Sequence, residues 1–241
     1  MFDHVTIRVS DRVASERFYT AVLAVLGIDQ THSGDQFTEW NDFSLTESTA
    51  WNPVTTGLHI GFGAPSRERV DEFWQCGVDD GYESDGEPGP RPKYGDDYYG
   101  GFLLDPDGNS VEAVHHDGVL TGGVDHLWVR VGDVASSARF YETIAPFAGL
   151  REQERGGRAQ FAGRRAGSFS VLRGDHVTKS LHIAFHAPDE ETVDAFHRAA
   201  LEAGYRDNGT PGERSIFHPR AYSAYVLDPD GNNIELVNQN R

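Results

Sequence analysis

The chain has 241 residues and a formal charge of −17, with 38 acidic against 21 basic side chains, and its longest basic block is the pair Arg164-Arg165. An excess of this kind repels a polyanion, so no nucleic-acid partner is expected, and no apolar run approaches the roughly 20 residues a membrane helix needs, so no membrane partner is expected either. Cys76 is the only cysteine, which excludes an intrachain disulfide and a cysteine-built zinc site. Any metal must then be held by histidines and carboxylates. The charged start, MFDHVTIRVSDR, lacks the apolar stretch of a signal peptide, so a cytoplasmic location is expected.

In chain order, Val5, Ile7 and Val9 alternate with His4, Thr6 and Arg8, the period-2 pattern of a strand with one face on a core. A helix is predicted from about Asp11, with Val13, Phe18, Val22 and Leu26 on its apolar side and Gly27 as its stop. The grammar restarts at Leu58, Ile60 and Phe62, followed by a helix capped by Ser66 that runs through Val70, Phe73 and Trp74. Short strand-like pieces follow each helix, including 43–45 and 102–104, and Asp105-Pro106-Asp107-Gly108 has the residues of a type I turn. Residues 84–97, rich in Pro and Gly, read as a long loop over a binding cup.

The same text then returns. DHVTIRVSDRVASERFY from Asp3 recurs as DHLWVRVGDVASSARFY from Asp125, GLHIGFGAP from Gly57 as SLHIAFHAP from Ser180, and LLDPDGNSVEAV from Leu103 as VLDPDGNNIELV from Val226. The shift is 122 or 123 residues throughout, so the chain is an internal duplication. The expected domains are 1–117 and 123–241, joined by the short segment around DGVLTGG. Each half reads as two β-α-β-β-β units.

Strand parity sorts the polar residues. His4, His59 and Glu112 sit one position from the helix-facing apolar residues of their strands, so all three face the opposite side of the sheet, as do His126, His182 and Glu235 in the repeat. Two imidazoles and a carboxylate on one surface form a facial triad, which leaves positions on a divalent ion open. Fe2+, Mn2+, Zn2+ or Ni2+ all suit these donors. Arg8 and Arg130, four residues after His4 and His126, share their face and have the chemistry to clamp a substrate carboxylate or phosphate, or else to neutralise acidic neighbours.

In these residues the chain resembles the vicinal oxygen chelate superfamily, which includes glyoxalases, bleomycin and fosfomycin resistance proteins and extradiol dioxygenases. The resemblance implies an α+β fold of tandem modules, four β-α-β-β-β units in two strongly curved mixed sheets with helices outside. It also implies that His4, His59, Glu112, His126, His182 and Glu235 are metal ligands, grouped either within each half or as His4 with His182 and Glu235 and His126 with His59 and Glu112. HLWVRVGD is similar to the first strand of glyoxalase I, in which an arginine contacts a glutathione carboxylate. That enzyme has a further carboxylate ligand, for which only Glu47 is near here, with Leu172 and Arg173 in the repeat. Ile216, His218, Tyr225, Asp228, Pro229, Gly231 and Glu235 resemble the extradiol dioxygenase signature, with Ala224 departing from it.

The expected function is a divalent-metal enzyme, a lyase or isomerase, thiol transferase or dioxygenase, acting on a small molecule that chelates the ion through vicinal oxygens. Glu235, His218, Tyr225 and His186 are the candidates for moving protons, and turnover is expected mainly at the site containing His182 and Glu235. The rival is a metal-free drug-binding protein with aromatic walls at Trp40, Trp51, Trp128 and Tyr222. Trp128 and Tyr222 are candidate substrate contacts on either view. The chain is expected to be a monomer or a homodimer.

Overall fold

The computed structural model describes residues 1–155, 158–163, 167–214 and 220–240. Four units follow one another along the chain. The first is β1 (Phe2–Val9), α1 (Arg12–Val25), β2 (His32–Ser33), β3 (Thr38–Trp40) and β4 (Phe43–Glu47). The second is β5 (Leu58–Gly63), α2 (Arg67–Asp79), β6 (Ser84–Pro90), β7 (Tyr99–Leu104) and β8 (Ser110–His115). The third is β9 (Val124–Val131), α3 (Val134–Ala148), β10 (Leu150–Arg155), β11 (Arg158–Gly163) and β12 (Ser168–Arg173). The fourth is β13 (His182–His186), α4 (Glu190–Glu202), β14 (Arg206–Glu213), β15 (Tyr222–Leu227) and β16 (Asn233–Asn238).

Local chemistry sets the helix ends. The side chains of Asp11, Ser66, Asp133 and Asp189 each accept a first-turn N–H at the four helix starts. At the end of α1, Gly27 has φ +74°, its N–H bonds to the Ala24 carbonyl and that of Ile28 to the Leu23 carbonyl, so the orphan carbonyls of the last turn are satisfied. Val13 does not join the apolar side; it lies in the first turn and is 78% exposed.

Within each unit the first strand pairs parallel with the last, which leaves the other edge of the first strand without a partner. Those edges pair across the halves, β1 antiparallel with β13 and β5 antiparallel with β9. Two eight-stranded mixed sheets result, in the orders β14-β15-β16-β13-β1-β4-β3-β2 and β10-β11-β12-β9-β5-β8-β7-β6. Each sheet thus joins one unit of the first half to one of the second. Both sheets are open, as expected, ending at β14 and β2 or at β10 and β6, but they are not strongly curled.

One contiguous core runs through both sheets and the helices, with Val5, Ile7, Val9, Leu58, Ile60 and Phe62 at 0–1% exposure. The Tyr19 hydroxyl of α1 donates to Asp105 in the DPDG turn at 2.9 Å, and Tyr141 of α3 does the same to Asp228 at 3.3 Å. The turn residues therefore anchor helix to sheet. Residues 84–90, expected as loop, form an edge strand instead. An edge position tolerates Pro88 and Pro90 because one side of the strand needs no donors, and register shifts absorb the irregularity. Among the described residues no helix is long and apolar enough to cross a membrane.

Candidate metal centres

The junctions between halves bring the six predicted ligands together in two groups. In the first sheet His4 lies opposite Ala184, which in turn pairs with Glu235, and His182 sits opposite Thr6. In the second, His126 lies opposite Gly61, which pairs with Glu112, and His59 sits opposite Trp128. A small residue between the outer two ligands lets their side chains meet. A Cβ at Gly61 would come within 2.3 Å of the His126 ring as it lies here, so the ring sits closer over this position than an alanine, as at Ala184 in the first centre, would allow without a shift.

The first centre is His4, His182 and Glu235, and the second His59, Glu112 and His126. Of the two groupings expected from sequence, the structure has the one shared across halves. In the first, Nε2 of His4 and of His182 are 3.2 Å apart, and Glu235 Oε2 lies 3.0 Å from His182 and 3.5 Å from His4. In the second, the corresponding separations are 3.2 Å between His59 and His126, 3.0 Å from Glu112 Oε2 to His59 and 3.2 Å to His126. Donors about 2.1 Å from a shared ion at angles of roughly 90–110° lie about 3.0–3.4 Å apart, so both donor sets fit a small divalent cation.

The outer ring nitrogens are held as well. His4 Nδ1 is 3.0 Å from Asp3, and His126 Nδ1 is 3.0 Å from Asp125. His59 Nδ1 is 3.0 Å from Ser110 Oγ, which donates to Asp85 at 2.6 Å, while His182 Nδ1 is 2.6 Å from the Asn233 side-chain amide. Such partners orient an imidazole so that Nε2 faces the ion. Each centre also carries two carboxylates, Glu235 with Asp3 or Glu112 with Asp125, whose charge a divalent cation would balance.

Electrostatics separate the two histidines of each centre. Burial pushes His4 down, but hydrogen bonds to Asp3 and Glu235 more than offset it and raise it to about 10. Likewise His126 is lowered by burial and raised overall, through Asp125 and Glu112, to about 9. Burial dominates at His59 and His182, which are held below the ordinary histidine value. Burial raises Glu112, yet its bonds to His126 and His59 win and hold it at about 2; Glu235 is lowered by the same balance.

With this geometry in view, the family model of the glyoxalase/bleomycin resistance protein/dioxygenase superfamily matches residues 1–113 and again residues 123–236. The chain belongs to this superfamily. Glyoxalase I from Zea mays aligns over 99% of this chain and 92% of its own, with a TM-score of 0.71 and 20% identity. A putative dioxygenase from Bacillus subtilis subsp. subtilis str. 168 aligns over 100% and 85%, with a TM-score of 0.69 and 14% identity. At these identities the likeness is one of fold. No curated protein sequence matches the chain significantly.

This member of the superfamily is not symmetric at its two centres. All three ligands of the first open on a cavity of about 570 Å³, whose wall includes Thr6, Arg8, Arg214 and Tyr225. The second centre adjoins a cavity of about 220 Å³, lined by His126 but by neither His59 nor Glu112. Strand β4 gives Ser44 and Thr46 to the larger cavity, while Glu47 is exposed at its end and takes no part in the wall.

The other predicted residues fall out as follows. Arg8 lines the large cavity, with Nη1 donating to the Ser180 carbonyl at 2.8 Å; Arg130 makes the equivalent bond to Gly57 at 2.7 Å and lines neither cavity. The Tyr225 hydroxyl accepts a bond from Ser223 at 3.0 Å, and its ring centroid is 6.2 Å from that of His182. Burial, then the charge of Glu235, pushes its phenol up to about 12. His186 is exposed at the end of β13, outside both cavities, because the wall ends before the strand does. Ile216 and His218 lie outside the described residues. Trp128 lines the smaller cavity, whereas Tyr222 donates to Asp194 of α4 and lines neither. Trp40 is core at 0% exposure, and Trp51 is 92% exposed. The partners missed from sequence, Asp3 and Asp125, precede a ligand histidine in both copies, and that repeated Asp-His pair was the available signal.

Proposed function

We propose that the protein is a divalent-metal enzyme acting on a small molecule with vicinal oxygens, at the centre formed by His4, His182 and Glu235. The observation that carries this reading is the convergence of those three donor atoms, each 3.0–3.5 Å from the others, on the wall of the larger cavity. A divalent ion held there supplies Lewis-acid stabilisation of charge developing on a substrate oxygen.

The chain's own groups do the remainder. Glu235, held well below the ordinary range, stays ionised at neutral pH and serves as a ligand rather than a proton store. Tyr225, with its phenol raised to about 12, stays protonated and donates a hydrogen bond to an anionic oxygen beside His182. Arg8, fixed by the Ser180 carbonyl, presents a positioned positive charge to a carboxylate or phosphate of the substrate. The drug-binding alternative has less support, since Trp40, Trp51 and Tyr222 are dispersed away from the cavity.

Cobalt(II) titration with acetohydroxamate, a bidentate oxygen chelator, tests the proposal. The visible spectrum of the loaded protein should shift saturably with hydroxamate in the wild type and in His126→Ala, and not in His182→Ala. Absence of cobalt binding, or a shift lost in His126→Ala and kept in His182→Ala, rejects it. Hemithioacetals and catechols, the latter with iron(II) and oxygen, then separate isomerase from ring-cleaving activity.

A further inference from the structure

The second centre differs from the first in what stands over it. Where the first has Thr6 on β1, the second has Trp128 at the equivalent place on β9, its ring centroid 4.5 Å from that of His59 and 6.1 Å from that of His126. Where the first has Ala221, the second has Tyr98, whose hydroxyl donates to Glu112 Oε1 at 2.9 Å. Glu112 therefore has one oxygen on the histidines and the other under a phenol. Its Gly100 neighbour leaves room for this, because a Cβ there would come within 2.3 Å of Oε1.

Both plugs are held in place. Tyr98 stacks on His116 with centroids 5.6 Å apart, and its loop is closed by the Arg91 N–H on the Tyr98 carbonyl at 2.8 Å. Tyr94 packs edge-on against Trp128, and the Arg158 guanidinium lies over the same indole. The result is a ligand set with His59 at 3% and Glu112 at 1% exposure, while the side chains of His4 and His182 are 28% and 13% exposed.

We propose that the His59/Glu112/His126 centre is a closed metal site, which retains a small divalent cation and admits no organic ligand, because Tyr98 and Trp128 cover His59 and Glu112 and leave only His126 on the wall of the 220 Å³ cavity. This rests on the reading that these donor sets bind a divalent ion. An ion enters or leaves only when the Tyr98 loop or the Trp128 ring moves aside, so its exchange is slow, whereas the ion at the open centre exchanges freely with solvent.

The experiment is isotope exchange on the full chain. Protein saturated with natural zinc is transferred into an enriched zinc isotope, and bound isotopes are followed by mass spectrometry after rapid desalting. The expected result is two ions per chain and two phases, the fast one missing in His182→Ala and the slow one missing in His126→Ala. Tyr98→Ala and Trp128→Thr should keep both ions and speed the slow phase, Tyr98→Ala by roughly tenfold or more, the factor associated with a hydrogen bond to a charged group. Two variants guard against one of them misfolding, which circular dichroism reports. A single exchange phase, or a slow phase unchanged in both variants, overturns the inference. An ion lost only in His182→Ala, with none at the second centre, overturns it and leaves the proposed function standing. A slow ion without a fast one does the reverse.

Discussion

Arg8 of the first half donates from Nη1 to the carbonyl of Ser180 in the second, at 2.8 Å, and Arg130 repays the contact on Gly57 at 2.7 Å. Thr55 and Thr178 hydroxyls donate to the same two carbonyls, at 2.9 and 2.8 Å. Ser180 and Gly57, the residues that offer these carbonyls, both have positive φ, +59° and +69°. The two arginines thus latch the halves beside the strand pairs that build the candidate metal centres.

Only Arg8 also lines the large cavity, so the latch and the proposed substrate role are separable. Arg130→Met should destabilise the protein by about 1–3 kcal/mol, the cost of a hydrogen bond to a charged group, with turnover per folded molecule unchanged. Arg8→Met should lose comparable stability and raise KM for an anionic substrate. Thermal unfolding with steady-state kinetics checks both, and an Arg130→Met protein as stable as wild type contradicts the latch.

Glu235→Ala should lower bound metal, whereas Glu47→Ala should not. Glu235 is buried among the donors, and its loss removes both charge and geometry from a three-donor set, while Glu47 is exposed at a strand end. Elemental analysis after identical reconstitution decides; equal metal content in the two variants counts against the centre.

Asp42, which is not itself a ligand but feels the charges of the Met1 amino group and of His4, provides a pH test. Burial raises its carboxyl from 3.8 to about 6, although the Val124 N–H donates to it at 3.0 Å. Below pH 4 native and unfolded chains both hold this proton. Between pH 4 and 6 the native chain keeps a proton the unfolded chain has released, so stability falls as pH rises through that window and then levels. Asp42→Asn removes the penalty. It should match wild type near pH 4 and exceed it at pH 7 by about 2–3 kcal/mol. A stability difference independent of pH contradicts the assignment.

Much of the fold was legible because it is written twice. Period-2 alternation at Val5 to Val9 and Leu58 to Phe62, repeated at one offset, placed the strands and put His4, His59 and Glu112 each opposite the apolar face of its strand, but not on one surface, since β1 lies in one sheet and β5 and β8 in the other. Strand parity carries no information about which free edges meet, so the pairing of β1 with β13 needed the structure. Composition misled at 84–90, where Pro and Gly occupy an edge strand rather than a loop. The closure of the second centre was hidden for a different reason. Trp128 and Tyr98 act through the space they fill, and a side chain that looks like a binding wall in sequence is a plug once its neighbours are within 6 Å.

The pairing of ligands across the halves is tested most directly by metal content in two double variants. His4→Ala/His182→Ala removes two donors of one centre and none of the other, whereas His4→Ala/His59→Ala removes one from each. With zinc at saturation, the first should retain one ion per chain and the second none. The reverse result, no ion in the first and one in the second, would mean that each half keeps its own three ligands and would contradict the arrangement described.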